Sequence, residues 1–91
     1  METKLISYVR DKKRNPIGVV MAVKLNDETV ALGWSKLHKE DKWNKKIGLQ
    51  IAEGRAKKYA PKVVLPYDIK KSYFKMMERA NKYFKNHNII W

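Results

Sequence analysis

Residues 16–25, PIGVVMAVKL, are apolar on both alternating faces. A strand of that kind belongs in the middle of a sheet, because an edge or a solvated face would expose one of its apolar sides. Ile17, Val19, Met21, Val23 and Leu25 share one face, and Gly18, Val20 and Ala22 share the other. The flanking segments supply its neighbours. Residues 4–10 (KLISYVR) are rich in β-branched and aromatic types and predict an antiparallel partner. The link between them, residues 11–15, is polar and holds the basic triplet Lys12, Lys13 and Arg14. Pro16 suits the first position of a strand, where its missing N–H breaks no ladder bond. Asn26-Asp27-Glu28 reads as the next turn, and residues 29–35 as a third strand with Val30, Leu32 and Trp34 on one face and Ala31 and Gly33 on the other. The first third of the chain therefore predicts a three-stranded antiparallel β-meander.

Two helices follow. Asp41 is a candidate N-cap, and from Lys42 onward Trp43, Ile47 and Ile51 form one apolar stripe of a helix entering the core. Gly48, Ala52 and Ala56 lie beside it and lack bulk, while Lys42, Lys46, Gln50, Glu53 and Lys57 share the opposite arc. Gly54 offers an earlier stop for this helix. The small residues Gly18 and Ala22 on the second strand, with Ala31 and Gly33 on the third, predict a face on which the small side of this helix can lie close. The competing expectation is that this small face stays open for a ligand backbone. After Tyr59-Ala60-Pro61, the run Val63-Val64-Leu65 reads as an edge strand or an extended linker. Asp68 is the candidate cap of a second helix over residues 69–85, with Ile69, Tyr73, Met76, Met77, Ala80, Tyr83 and Phe84 at helical spacing. The tail ends on Ile89, Ile90 and Trp91, which either dock on the core or stay exposed for a protein partner. The expected class is α+β: the three-stranded meander followed by two α-helices packed on the sheet, all within one domain spanning residues 1–91.

Charge sets the functional expectation. Lys and Arg total 21 against nine Asp and Glu, a formal net charge of +12, and the surplus runs through both halves of the chain. At 44% apolar and 11% aromatic residues the chain is expected to fold, so the charge belongs to a folded surface and not to a disordered tail. Such a surface attracts polyanions at long range. Lysine far outnumbers arginine, and lysine meets phosphate as a point charge whereas base edges are read best by arginine. The expected function is noncatalytic, backbone-dominated binding of DNA or RNA with weak sequence specificity. The candidate contacts are Lys12, Lys13 and Arg14 on the hairpin tip; Lys42, Lys45, Lys46, Arg55 and Lys57 on or beside the first helix; and Lys70, Lys71, Lys75, Arg79 and Lys82 on the second. Arg55 falls on the apolar arc of its helix, either as a structural guanidinium or as a fork aimed at phosphate or a base. Trp34, Trp43, Tyr59 and Trp91 are candidate stacking rings, although the first two also sit on apolar stripes.

Catalytic and cofactor signatures are thin. The chain has no cysteine, which excludes disulfides and thiolate chemistry. It carries no GxxxxGK[ST], GxGxxG or GxSxG motif. Its two histidines, His38 and His87, lie in a loop and near a helix end, and Glu40, Asp41 and Glu53 are the only weak nuclease candidates. No enzyme activity, metal or cofactor is expected. Neither a signal-peptide run nor an apolar stretch long enough for the membrane appears in residues 1–91, so a cytoplasmic protein without membrane partners is expected.

Gly33-Trp34-Ser35, Asp41, Lys45-Lys46, Gly48, Ile51-Ala52 and Gly54-Arg55-Ala56 together resemble a GWS…D…KK-G-x-x-IA-x-GRA pattern of small basic proteins, of uncharacterised activity, encoded by tailed bacteriophages. The resemblance covers about a quarter of the chain. It implies a phage origin and a life in the cytoplasm of an infected bacterium, and no mechanism. It also supplies a rival expectation from the biology of host takeover: a modulator that binds a host protein such as a polymerase, nuclease or defence complex.

Overall fold

A computed structural model describes residues 4–37, 42–58 and 65–90. In chain order they form β1 (Lys4–Arg10), β2 (Pro16–Lys24), β3 (Thr29–Lys36), α1 (Lys45–Lys57), α2 (Tyr67–Tyr83) and β4 (Asn88–Ile90). The class is α+β, and the sheet has one strand more than the sequence predicts. Its order is β1-β2-β3-β4, antiparallel between the first three and parallel between β3 and β4. The fourth strand comes from the apolar tail. Asn88 N–H donates to the Glu28 carbonyl at 2.7 Å, which sets the tail alongside Thr29–Ala31. Ile89 then packs into one face of the sheet and Ile90 into the other. A three-residue strand carries too little periodicity to be read from sequence.

β2 is central and buried on both faces, as its two apolar sides require. One face meets α2 through Val20, Ala22, Leu32, Ile69, Tyr73 and Met76. The opposite face meets α1 through Val19, Met21, Val23, Ala31, Ala52 and Ala56. The predicted alignment of four small residues on one face is corrected by the register. Met21 pairs with Gly33 and Val23 with Ala31, whereas Gly18 and Ala22 face α2. Small residues therefore sit opposite large ones.

The small arc of α1 does lie on β3, and closely. A Cβ at Gly33 would fall 1.9 Å from the Ala52 carbonyl oxygen and 2.7 Å from the Ala56 nitrogen. The face is closed by the helix and not open to a ligand. Because Gly48, Ala52 and Ala56 take the centre of the contact, the bulkier stripe beside them is displaced outward. Ile47 and Ile51 are 51% and 42% exposed, so the apolar stripe flanks the contact and does not fill it. Trp43 precedes the helix and folds back over Gly48. The N-cap is Asn44, whose Oδ1 accepts from Ile47 N–H at 3.1 Å; the predicted cap, Asp41, lies outside the described residues, and Lys42 precedes the helix. Gly54 does not stop the helix, which continues to Lys57.

α2 buries Ile69, Tyr73, Met76 and Ala80, with Phe84 just beyond its end. Tyr83, expected in the core, lies half exposed. The predicted cap is also corrected. Pro66 holds the N-cap position without a side-chain bond, and Asp68 sits in the first turn, where it pairs with Lys36 at 2.9 Å. A carboxylate there still meets the positive end of the helix dipole. Burial pushes the Tyr73 hydroxyl up to about 12, and no described residue accepts its proton. Residues 63 and 64 of the predicted edge strand or linker lie outside the described residues.

Two glycines of similar appearance in the sequence should answer alanine with opposite signs. Gly33→Ala forces α1 off the sheet and should cost about 2–3 kcal/mol by overpacking. Gly54 has a helical backbone, and nothing lies within 4 Å of the point to which a methyl group would project. Gly54→Ala should therefore stabilise by about 0.5–1 kcal/mol. Thermal unfolding followed by circular dichroism reads both.

Candidate nucleic-acid interface

The register fixes which side chains share an end of the molecule. Val9, Gly18 and Lys36 lie in one row across β1, β2 and β3, beside the loop that joins β1 to β2. Both helices begin at this row. Gly18 packs under Ile69 in the first turn of α2, and Lys36 reaches Asp68. Ser35 Oγ donates to the Gly48 carbonyl, in the first turn of α1, at 2.9 Å. Two helix N-termini and the hairpin tip therefore occupy one pole. Lys12, Lys13, Arg14, Lys42, Lys45, Lys46, Lys70 and Lys71 are all exposed there.

The tip is shaped by Asp11. Its Oδ1 accepts from the backbone of Lys13 at 2.8 Å and Asn15 at 2.9 Å, and its carbonyl accepts from Arg14 N–H at 3.0 Å. This turn drives Arg14 to φ 66°, a left-handed conformation that costs a non-glycine residue about 1 kcal/mol. Arg10 Nη1 donates to the Arg14 carbonyl at 3.2 Å. Lys45 Nζ lies 5.6 Å from the Tyr8 ring centroid. Among the described residues the acids of this pole are Asp11 and Asp68, the first engaged by backbone and the second by Lys36. The first turn of α1 holds Lys45 and Lys46 with no acid, so its positive dipole end faces like charge.

The remaining candidates lie elsewhere. Lys75, Arg79 and Lys82 continue along the outer face of α2, and Arg79 Nη1 donates to the Ile6 carbonyl at 3.3 Å on the open side of β1. Lys57 stands 4.0 Å from Glu53, whose carboxyl is held below its usual value by its hydrogen bond to Lys4 and by the charges of Lys4 and Lys57. Glu53, a weak nuclease candidate, is thus held in an ion pair joining α1 to β1; Glu40 and Asp41 lie outside the described residues. Arg55 donates to the Trp34 carbonyl at 2.9 Å, with its guanidinium 4.1 Å from the Trp34 ring centroid. That is the geometry of a structural guanidinium. Because α1 and α2 cover opposite faces of the sheet, their outer faces diverge, and the basic side chains of the two helices converge only at the pole.

Of the stacking candidates, Trp34 is 7% exposed and Trp43 half-buried, while Tyr59 and Trp91 lie outside the described residues. The ring that sequence reasoning missed is Tyr67, 94% exposed on the first turn of α2. A residue adjacent to Pro66 and before the predicted cap gave no periodic signal. A second surface feature is a depression of about 400 Å³ lined by Ser35, Lys36, Lys42, Trp43, Ile47 and Ile51. His87 is partly buried with its ring edge-on to Phe84, and His38 lies outside the described residues. No helix among the described residues is long and apolar enough to cross a membrane. Comparison with protein-family models, with curated proteins and with solved structures finds no match.

Arg55→Ala removes a stacked cation and a hydrogen bond to a backbone carbonyl, and should cost about 1–2 kcal/mol of folding stability. Arg55→Lys should recover little of it, since an ammonium supplies neither the planar stack nor the fork. Urea denaturation of the two variants against the parent measures both effects.

Proposed function

We propose that the protein is a noncatalytic nucleic-acid-binding protein that grips the phosphate backbone with little regard for sequence. The observation that carries this reading is the pole itself: hairpin tip, α1 N-terminus and α2 N-terminus bring their lysines together beside carboxylates that are already engaged. A solvated basic surface would intersperse acids, and like charges held together gain when a polyanion neutralises them. In this reading the chain is phage-encoded and acts in the cytoplasm of an infected bacterium.

A second reading has its own observation. Ile47 and Ile51 stand exposed beside Trp43, with Lys42 and Lys46 flanking them, which is the composition of a protein-docking surface. Here the partner is a host protein, and the basic pole steers it.

Titration of labelled oligonucleotides at 50 and 200 mM salt tests the first reading. Contact with about six phosphates should weaken binding roughly a thousandfold over that range. Charge reversal of Lys12, Lys13, Lys45 and Lys46 to glutamate should abolish it, while reversal of Lys58 and Lys85 should only weaken it modestly. Absence of binding at the lower salt removes this reading. For the second, host protein retained from nuclease-treated bacterial lysate should be lost on Ile47→Lys with Ile51→Lys, with oligonucleotide binding intact.

A further inference from the structure

A shallow depression of about 380 Å³ on the outer side of α2 is bounded by Tyr67 at one end and Phe74 at the other, with Lys70 and Lys71 between them. The ring of Tyr67 projects almost wholly into solvent, at a position where a polar side chain would serve folding equally well. No stripe of the helix calls for it, since the buried side is filled by Ile69, Tyr73 and Met76. The geometry points to a stacking platform for unpaired bases, so that the preferred ligand of this protein is single-stranded nucleic acid. This rests on the nucleic-acid reading above and narrows it.

A strand whose base meets the Tyr67 ring carries its phosphates past the following turn of the helix, where Lys70 and Lys71 stand exposed. The faces of duplex bases are covered by their neighbours, so a duplex can use the lysines and not the ring. Stacking is indifferent to base identity, because every base presents a π-face. Stacking carries no preference between the two sugars, and DNA and RNA strands should bind alike. The platform also opens onto the basic pole, since α2 begins beside the row that carries the hairpin tip.

Fluorescence anisotropy at 50 mM salt, with a labelled oligo-dT of about 12 nucleotides, the matching oligo-U and a duplex of equal length, tests the platform. The wild-type protein should bind both single strands more tightly than the duplex. Tyr67→Ala should weaken single-strand binding about tenfold and leave duplex binding unchanged, while Tyr67→Phe should behave as wild type. The side chain is exposed, so unchanged thermal unfolding of both variants should accompany these results. Equal single-strand affinity in wild type and Tyr67→Ala overturns the platform while the phosphate-binding reading stands. Failure of the wild-type protein to bind any of the three probes overturns both.

Discussion

The close seating of α1 on Gly33 is the contact from which the rest of the arrangement follows. With the Ala52 carbonyl and the Ala56 nitrogen where a side chain would otherwise project, the helix axis lies nearer the sheet than a leucine-lined interface would allow. At that distance only Gly48, Ala52 and Ala56 fit beneath, and the isoleucines are turned outward. The seat also fixes the helix along the strand. Ser35 binds the Gly48 carbonyl near the start of the helix, and Lys4 binds Glu53 further along. The N-terminus of α1 is thereby held at the hairpin end of the sheet. Gly18 does for α2 what Gly33 does for α1, admitting Ile69 at the same end of the opposite face.

Charge is distributed by this geometry more than by the sequence. A net charge of +12 on a small fold is a source of self-repulsion. The described ion pairs relieve it mostly away from the pole: Lys4 and Lys57 with Glu53, and Lys24 with Asp27. These pairs are partly or, at Asp27, fully exposed, so they shape the field more than they stabilise the fold. The one described pair at the pole, Lys36 with Asp68, removes a carboxylate that would otherwise face the hairpin lysines. Among the described residues of the pole, Asp11 is then the one carboxylate left without a cationic partner.

How much of this the sequence disclosed depended on the range of the interaction. The meander was legible because alternation in residues 16–25 and 29–35 is local, and so was the second helix, whose apolar stripe runs through four turns. The first helix was legible as a helix, and its small arc as the side that meets the sheet. The outward turn of Ile47 and Ile51 was not legible, because it follows from the close fit of Ala52 and Ala56 over Gly33. The register that set Gly33 opposite Met21 and sent Gly18 to the other face is a pairing between strands, which composition alone does not reveal. The fourth strand depends on long-range pairing with β3, begun by the bond from Asn88 to Glu28. For the site, the basic residues were individually legible and their meeting point was not. The sequence spread them over three segments, and only the common starting row of both helices brings part of them together. Tyr67 was hidden for the opposite reason: an exposed ring leaves no periodic trace.

The pole is also where the chain departs from local consistency. A non-glycine residue at φ 66° on the hairpin tip costs about 1 kcal/mol, and lysines in the first turn of α1 oppose the dipole by a few tenths each. At the other end of α1 the same residue types are placed favourably, with Arg55 and Lys57 in the last turn, one held by Trp34 and the other near Glu53. Both ends of α1 are capped, and only the charge differs, complementing the dipole at the C-terminal end and opposing it at the N-terminal end. Bound phosphates would reverse the sign at that one end, turning the uncomplemented dipole, the crowded ammonium groups and the strained arginine into contacts. On the proposed nucleic-acid reading, the unfavourable features lie together and share one remedy, a bound phosphate. Departures from local preference that gather in this way are expected where a fold has been shaped for a ligand.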